Sequence, residues 1–398
     1  MDDPGREREL AQLLSELVAI DSVNPTLVPG GAGEAAIARD LAERLHALGL
    51  EVQVSEVAPG RPNVVGMLRG REGRSVPGLL LCGHTDTVGV GGMTVPPFGG
   101  LVEGDRVYGR GAFDMKAGIV AILDATRRIV VGGGGAGDLV VAFVADEEDR
   151  SLGAEHLVAT LPVSGVRLTG GIITEPTGLS IVHVHKGFVW GRIETQGRAA
   201  HGSAHEHGID AILLMGRVLA RLEALDRQVL PGRQHPLLGR GSVHCGLIEG
   251  GNERSSYPDR CTLDIERRLL PGETAGMARE EVEAMLRELH IASDDFAASY
   301  TELFCRAPLE VPADAPIVQA LDRAIGATLG VGSVRHAGTA GWADSQLLTA
   351  AGVPTVLFGP GSEAGGAGLV LAHAADEYAS VRSTAACADV LVAAAAAH

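Results

Sequence analysis

Four short apolar runs, each too brief for a helix and each ending in a polar turn, constrain this chain more than any other feature. Leu79–Cys82 (LLLC), Leu139–Ala145 (LVVAFVA), Gly171–Thr174 (GIIT) and Pro354–Phe358 (PTVLF) show no alternation of apolar and polar residues, so they read as strands buried on both faces. Helical stretches such as Gly118–Val130 lie between some of them. Two more helical patterns run from Arg8 to Val18 and from Glu34 to Leu48, the second stopped by Gly49. This alternation predicts an α/β domain with a mainly parallel sheet.

A different rhythm occupies 186–306. Phe188–Thr195 reads as a strand, Asp210–Leu225 as a helix, Ser242–Ile248 and Cys261–Arg267 as strands, Glu273–Leu289 as a helix and Ser299–Phe304 as a last strand. The order β-α-β-β-α-β is that of a ferredoxin-like unit. Because the α/β pattern resumes after Pro308, the unit is an insertion, leaving 1–185 and 307–398 as two parts of one domain. The glycine-rich run 132–137 follows a helix and precedes a strand, so it is a connecting loop rather than a phosphate cradle, which would open a helix.

Composition narrows the function classes. With 50 Asp and Glu against 33 Lys and Arg, the formal charge is −17, which argues against a nucleic-acid partner. The first ten residues carry no apolar leader core, and the alanine-rich C-terminal stretch is interrupted by Asp389, so a cytoplasmic location with no membrane association is expected. Five scattered cysteines without a CxxC pair read as thiols in a reducing compartment, Cys82 among them as core. Only Lys116 and Lys186 are lysines, in a chain otherwise committed to arginine.

The chemistry follows the strands. LLLCG leads into His84-Thr85-Asp86, VVAFVAD into Glu147-Glu148, GGIIT into Glu175, and TVLFGPG into a loop carrying His373. Open α/β sheets gather ligands and catalytic groups beyond the carboxyl ends of their strands, so these residues can converge on one crevice. Imidazole and carboxylate without thiolate suit zinc, with cobalt or manganese as substitutes. In His84-x-Asp86 the histidine can bind metal while the aspartate supports it from behind; a plain strand-end turn is the competing reading. Asp114, just ahead of an apolar helix, reads either as its N-cap or as a carboxylate with one oxygen for each of two ions about 3.5–4 Å apart. The adjacent Glu147 and Glu148 read either as a solvated acidic turn or as a general base beside a metal ligand.

Together, His84-Thr85-Asp86-Thr87-Val88, the segment Gly109–Lys116 (GRGAFDMK), Asp146-Glu147-Glu148, Glu175-Pro176-Thr177 and Ala372–Tyr378 (AHAADEY) resemble the successive motifs of the M20 metallopeptidase family. Ser22-Val23-Asn24-Pro25 and the inserted unit extend the likeness to nearly the whole chain. The resemblance implies a zinc-peptidase-like fold with an inserted ferredoxin-like α+β lid and dimerisation domain. It also implies two Zn2+ per subunit (Co2+ or Mn2+ as substitutes) with Asp114 bridging. His84 and Glu175 would complete one ion, Glu148 and His373 the other, with Glu147 as general base and Asp86 orienting the surroundings of His84. From the inserted unit, His201 of GRAAHGS is similar to the family's oxyanion-stabilising histidine supplied by the other subunit of a homodimer. Arg268 of RLLPG resembles the arginine that clamps a substrate carboxylate. For His201 the alternative is a surface histidine, and for Arg268 an ion pair within the lid.

The expected reaction is release of an acyl group from an N-acyl amino acid, in the style of acetylornithine deacetylase and succinyl-diaminopimelate desuccinylase, with Glu175-Pro176-Thr177 and Gly359-Pro360-Gly361 as the pointers. A carboxypeptidase or dipeptidase on the same residues is the alternative, and a non-catalytic metal-binding member a third reading that the presence of Glu147 disfavours. Departures touch specificity. Met93 stands where the family usually has Trp, His205 and Asp210 where it has Pro and Asn, and Ser255 where an Asn often lines the substrate site, with Asn252 nearby as a competing substrate-binding residue.

Overall fold

The structure, a computed structural model, describes residues 3–72, 76, 78–161, 165–362 and 371–397. They group into two compact units, one of Met1–His183, Val311–Ala337 and Ala343–His398, the other of Val184–Glu310 and Gly338–Trp342.

In the first unit the strands lie in the order Glu51–Ala58, Arg61–Leu68, Leu139–Val144, Gly78–His84, Leu168–Ile173, Thr355–Leu357, Ile181–His185. The four central strands are parallel to one another and coincide with the four apolar runs. Every residue of Gly78–His84 and Leu139–Val144 is buried, which is why neither shows alternation. The outer pairs are antiparallel, and Glu51–Ala58 is exposed along much of its length.

Helix Ala117–Val131 packs on this sheet. In its first turn Gly118 lies against the strand end at Thr174, where a β-carbon would stand 2.2 Å from the Thr174 carbonyl oxygen, so only glycine permits that approach. Helices Pro4–Ala19, Pro316–Thr328 and Val381–Ala397 complete the layer around it.

The second unit is a four-stranded antiparallel sheet, Ser242–Gly250, Arg260–Leu269, Gly187–Gln196, Ala297–Arg306, with helices Ala211–Ala224 and Ala275–Ala292. Numbered along the chain, the strand order is 2-3-1-4, the ferredoxin-like arrangement expected from β-α-β-β-α-β. Strand Gly187–Gln196 alternates, with Val189 and Ile193 buried toward the helices and Trp190 exposed on the other face. Asp210 caps its helix by accepting the amides of Ile212 and Leu213 at 2.9 and 3.0 Å. Among the described residues, no helix is long and apolar enough to cross a membrane.

Candidate functional site

The parallel strands set the site. His84 is the last residue of its strand, opposite Val144, and Cys82 lies opposite Ile173. The turns that follow, at Asp86, Asp146–Glu148 and Thr174–Glu175, therefore leave the sheet side by side. Asp114 arrives from Ala112–Lys116, an irregular turn entered through Gly111 at φ 79°, where a β-carbon would stand 2.6 Å from Thr87 Cγ2. It does not cap the following helix. That position falls to Lys116, whose side chain makes no capping bond, and the Asp114 carboxylate points instead at two histidines.

Two groups of three ligand-type side chains result, His84, Asp114 and Glu175 in one and Asp114, Glu148 and His373 in the other, the chosen atoms of each lying within 4.8 Å of one another. His84 Nε2 is 3.1 Å from Asp114 Oδ1 and 3.7 Å from Glu175 Oε1, while His373 Nε2 is 3.2 Å from Glu148 Oε2 and 3.7 Å from Asp114 Oδ2. Asp114 thus presents one oxygen to each histidine. His84 Nδ1 faces the Asp86 carbonyl oxygen at 3.0 Å. A carbonyl only accepts, so Nδ1 carries a proton and Nε2 is the nitrogen aimed at the carboxylates. His373 has a left-handed backbone, φ 63°, and is half exposed; positions 363–370 of the loop leading to it lie outside the described residues.

The electrostatics suit cations. Glu148 Oε1 and Glu175 Oε1 are buried with no hydrogen-bond donor, a costly condition unless a positive charge fills the space. Burial first, and then the like charge of neighbouring acids, pushes the Glu147 and Glu175 carboxyls well above the usual range. Burial also raises Glu148, although the hydrogen bond from His373 opposes it. For His84 burial, the largest influence, disfavours the cation, but Glu175, Asp114 and Asp86 together hold it well above the usual histidine value. The Glu148 hydrogen bond raises His373 as well. The oxygen and nitrogen donors fit divalent ions.

Asp86 reaches partners beyond His84. Its carboxylate accepts the Glu147 amide at 3.1 Å, the Glu148 amide at 3.2 Å and Asn24 Nδ2 at 2.8 Å, and is 3.6 Å from His84 Nδ1. It holds the Glu147–Glu148 turn more closely than it holds the imidazole. Behind it Asn24 Nδ2 also donates to Asp146 Oδ1 at 3.0 Å, and Arg61 bridges Asp146 at 2.7 Å and Glu34 at 2.5 Å, all of them buried. Glu148 meets His373 at 3.2 Å, and the charges of Glu175, His84, Asp344 and Glu148 act on Glu147.

Sequence reasoning missed several of these residues. Asp344, fully buried, adds negative charge near Glu147 and Glu175, and Arg61, Glu34 and Arg110 are buried charges. Arginine and acid at such positions carry no local pattern; only their tertiary neighbours reveal them. Lys116 is completely buried, donates from Nζ to the Ile20 carbonyl at 2.8 Å, and burial lowers its pKa to about 7.

The remaining residues singled out in the sequence belong to the second unit. His201 is exposed in a turn, its Nδ1 2.8 Å from Ser203 Oγ, and it bridges to Ser256; the Gly202 amide donates to the Ser255 carbonyl at 2.6 Å. The segment carrying Ser255 is thereby next to the His201 turn, and Asn252 is exposed. Arg268 lies at the far end of strand Arg260–Leu269, its guanidinium 5.4 Å over the Phe188 ring and donating to the Ala340 carbonyl. Lys186 Nζ donates to the Arg240 carbonyl at 2.5 Å.

Comparison with known proteins adds an independent line. The model of peptidase family M20/M25/M40 matches residues 80–397. Acetylornithine deacetylase of Aliivibrio fischeri is 29% identical over 381 residues, 93% of either chain, and that of Proteus mirabilis 28% over 377 residues, 92% of this chain and 91% of the other. Among solved structures, an M20 family metallo-carboxypeptidase from Sulfolobus solfataricus is similar with a TM-score of 0.79 at 17% identity, over 99% of both chains. A tripeptidase from Staphylococcus aureus is similar with a TM-score of 0.76 at 21% identity, over 98% of this chain and 97% of that one. Such distant structural likenesses speak for the fold.

Proposed function

The chain belongs to peptidase family M20/M25/M40, and from that premise we propose that it is a two-metal amidohydrolase that removes the acyl group of an N-acyl amino acid, in the manner of acetylornithine deacetylase. As a member of the family it is a hydrolase of amide bonds. The observation that carries the finer reading is the pair of ligand groups sharing Asp114, with Glu147 on the turn beside them.

In this reading His84, Asp114 and Glu175 hold one ion and Asp114, Glu148 and His373 the other, zinc being the native metal and cobalt or manganese able to replace it. Bound there, the two ions would supply Lewis acidity to the scissile carbonyl and to the attacking water. Glu147 takes the proton from that water and passes it to the leaving amine nitrogen. Asp86 keeps Glu147 in place by accepting hydrogen bonds from the Glu147 and Glu148 backbone amides.

Residues 186–306 act as lid and dimerisation domain, and 1–185 with 307–398 as the catalytic domain. His201 would stabilise the oxyanion and Arg268 would grip the substrate carboxylate, with Ser255 or Asn252 lining the acyl side. His201 bridges to Ser256, four positions before Arg260, and the eight residue steps from Arg260 to Arg268 span roughly 25 Å along an extended strand. One small substrate cannot touch both groups of one chain, which supports a homodimer in which His201 serves the partner. Edge strand Ser242–Gly250 exposes Leu247 (70%) and Ile248 (55%), and the neighbouring helix exposes Leu213 (68%). Such a surface suits self-association, and sedimentation of the wild type against Leu247→Asp tests it.

The substrate test is a panel of N-acetyl-ornithine, N-succinyl-diaminopimelate and other N-acyl amino acids against unblocked dipeptides. A clear preference for acylated amino acids is expected. Preference for dipeptides would replace the deacylase with the carboxypeptidase or dipeptidase reading, which the structural likeness to a metallo-carboxypeptidase keeps in view.

A further inference from the structure

Glu377, four residues beyond His373, stands in neither group of candidate ligands, yet it is completely buried. Its Oε1 accepts the amides of Phe113 at 2.9 Å and Asp114 at 3.1 Å, and its Oε2 accepts Arg110 Nη1 at 2.5 Å. Arg110, also buried, is held from its other side by a bond from Nε to the Gly89 carbonyl at 3.0 Å. The backbone around Asp114 needs such an acceptor. Asp114 (φ −120°, ψ 96°) and Met115 (φ −131°, ψ 36°) depart from helical geometry, so the turn offers no regular ladder, and buried amides must find partners elsewhere.

The same segment is stitched to the surroundings of Asp114 by its backbone. The Gly109 amide donates to the Glu377 carbonyl at 3.0 Å, the Thr94 amide to the Ala375 carbonyl at 2.8 Å, and Tyr378–Ser380 pairs antiparallel with Arg106–Tyr108. A single short stretch therefore carries His373 at one end and, at the other, the carboxylate that fixes the amide of Asp114.

We propose that Glu377 is a positioning residue of the metal centre: with Arg110 it fixes the orientation of Asp114, the ligand shared by both ions, and ties that orientation to the placement of His373. The inference rests on the two-metal reading above. Negative charge and two acceptor oxygens are both required. Glutamine keeps the volume and can still accept the two amides, but it turns an NH2 group toward the Arg110 guanidinium, donor against donor. Orienting groups behind metal ligands commonly alter affinity by about 10- to 100-fold.

The test measures Co2+ binding and the Co2+ absorption spectrum of the wild type, Glu377→Gln, Glu377→Asp and Arg110→Lys, together with the thermal midpoint of each metal-free protein. For Glu377→Gln, affinity for at least one of the two ions falls about 10- to 100-fold, and its visible band changes. The metal-free midpoint falls, because the buried Arg110 guanidinium loses its carboxylate partner, and in the folded variant kcat falls more than KM rises. Glu377→Asp, which keeps the charge, recovers part of the affinity. A folded Glu377→Gln that binds both ions with wild-type affinity and spectrum would overturn the proposal. If Glu377→Gln does not fold, Arg110→Lys decides: weakened binding in a folded protein supports the proposal, and wild-type binding overturns it. A wild type that binds fewer than two ions would overturn the metal-centre reading itself, an outcome separate from any behaviour of the variants.

Discussion

The carboxylate of Asp86 stands 3.1 Å from the amide nitrogen of Glu147, and its other oxygen is 3.2 Å from the next amide, that of Glu148. One buried acid thus fixes two neighbouring acids that need different directions, through their backbone and without touching their side chains. Asp86→Asn offers one acceptor oxygen and turns an NH2 toward the second amide. The expected cost is about 1–3 kcal/mol of stability for the unsatisfied donors, read by urea unfolding, with kcat reduced at least tenfold. Unchanged kcat in the folded variant would show that the turn holds its shape without Asp86.

Metal uptake should release protons. In the metal-free protein burial and neighbouring charge raise the carboxyls of Glu147 and Glu175, so these groups bind protons that cations would displace. Affinity therefore rises with pH. Calorimetric titration with Zn2+ in two buffers of different ionisation enthalpy measures the protons released, and heats that do not depend on buffer would contradict the charge balance described for the site. Because ions bind the folded chain, free metal at 100 times Kd should stabilise it by about 2.7 kcal/mol, a gain lost on chelation and absent in Asp114→Asn.

Lys116 gives a pH dependence of stability with a definite sign. Unfolded, the ammonium loses its proton near 10.5; folded, burial brings that to about 7. Between those values the unfolded chain binds the extra proton, so stability rises with pH from about 7 to 10.5 and is lowest, on this account, below 7. Lys116→Met should flatten the rise by up to about 1.4 kcal/mol per pH unit, measured by urea unfolding at pH 7.5 and 9. Lys116→Arg should lose stability, since guanidinium cannot shed its proton in that setting. Unaltered stability, metal content and rate in Lys116→Arg would mean that lysine at 116 is accidental.

Much of this was legible in the sequence because the same residues that make the strands apolar also place the chemistry. LLLC and LVVAFVA are buried on both faces and end at His84 and at Asp146–Glu148, so strand ends and site residues could be read together. Asp114 could be read two ways, and geometry decided between them: its carboxylate faces His84 and His373 rather than the helix amides. The antiparallel strands Glu51–Ala58 and Arg61–Leu68 gave a weaker signal, the first because it is largely exposed. The network from Glu34 through Arg61, Asp146 and Asn24 to Asp86 could not be seen, since its members are up to 122 positions apart and act through single contacts. Glu377 lay within a motif segment, but its role is toward backbone amides that no motif spacing records.

His201 should affect turnover and not metal. His201→Ala is expected to keep two ions per chain and wild-type stability, as an exposed turn residue would, while kcat falls about 100-fold or more, the cost typical of a lost oxyanion donor. If the partner's active site is the one it serves, mixing His201→Ala with Glu147→Ala subunits should restore part of the activity. An unchanged rate in His201→Ala would remove the oxyanion role.

A two-metal hydrolase with Glu147 as its base makes a paired prediction for bound metal and turnover of the wild type and Glu147→Ala, purified alike and assayed on an N-acyl amino acid that the wild type cleaves. The expected result is close to two ions per chain in both, with turnover of the variant lowered by about 10²- to 10⁴-fold. Near-wild-type turnover in Glu147→Ala, or fewer than two ions in the wild type, would contradict it.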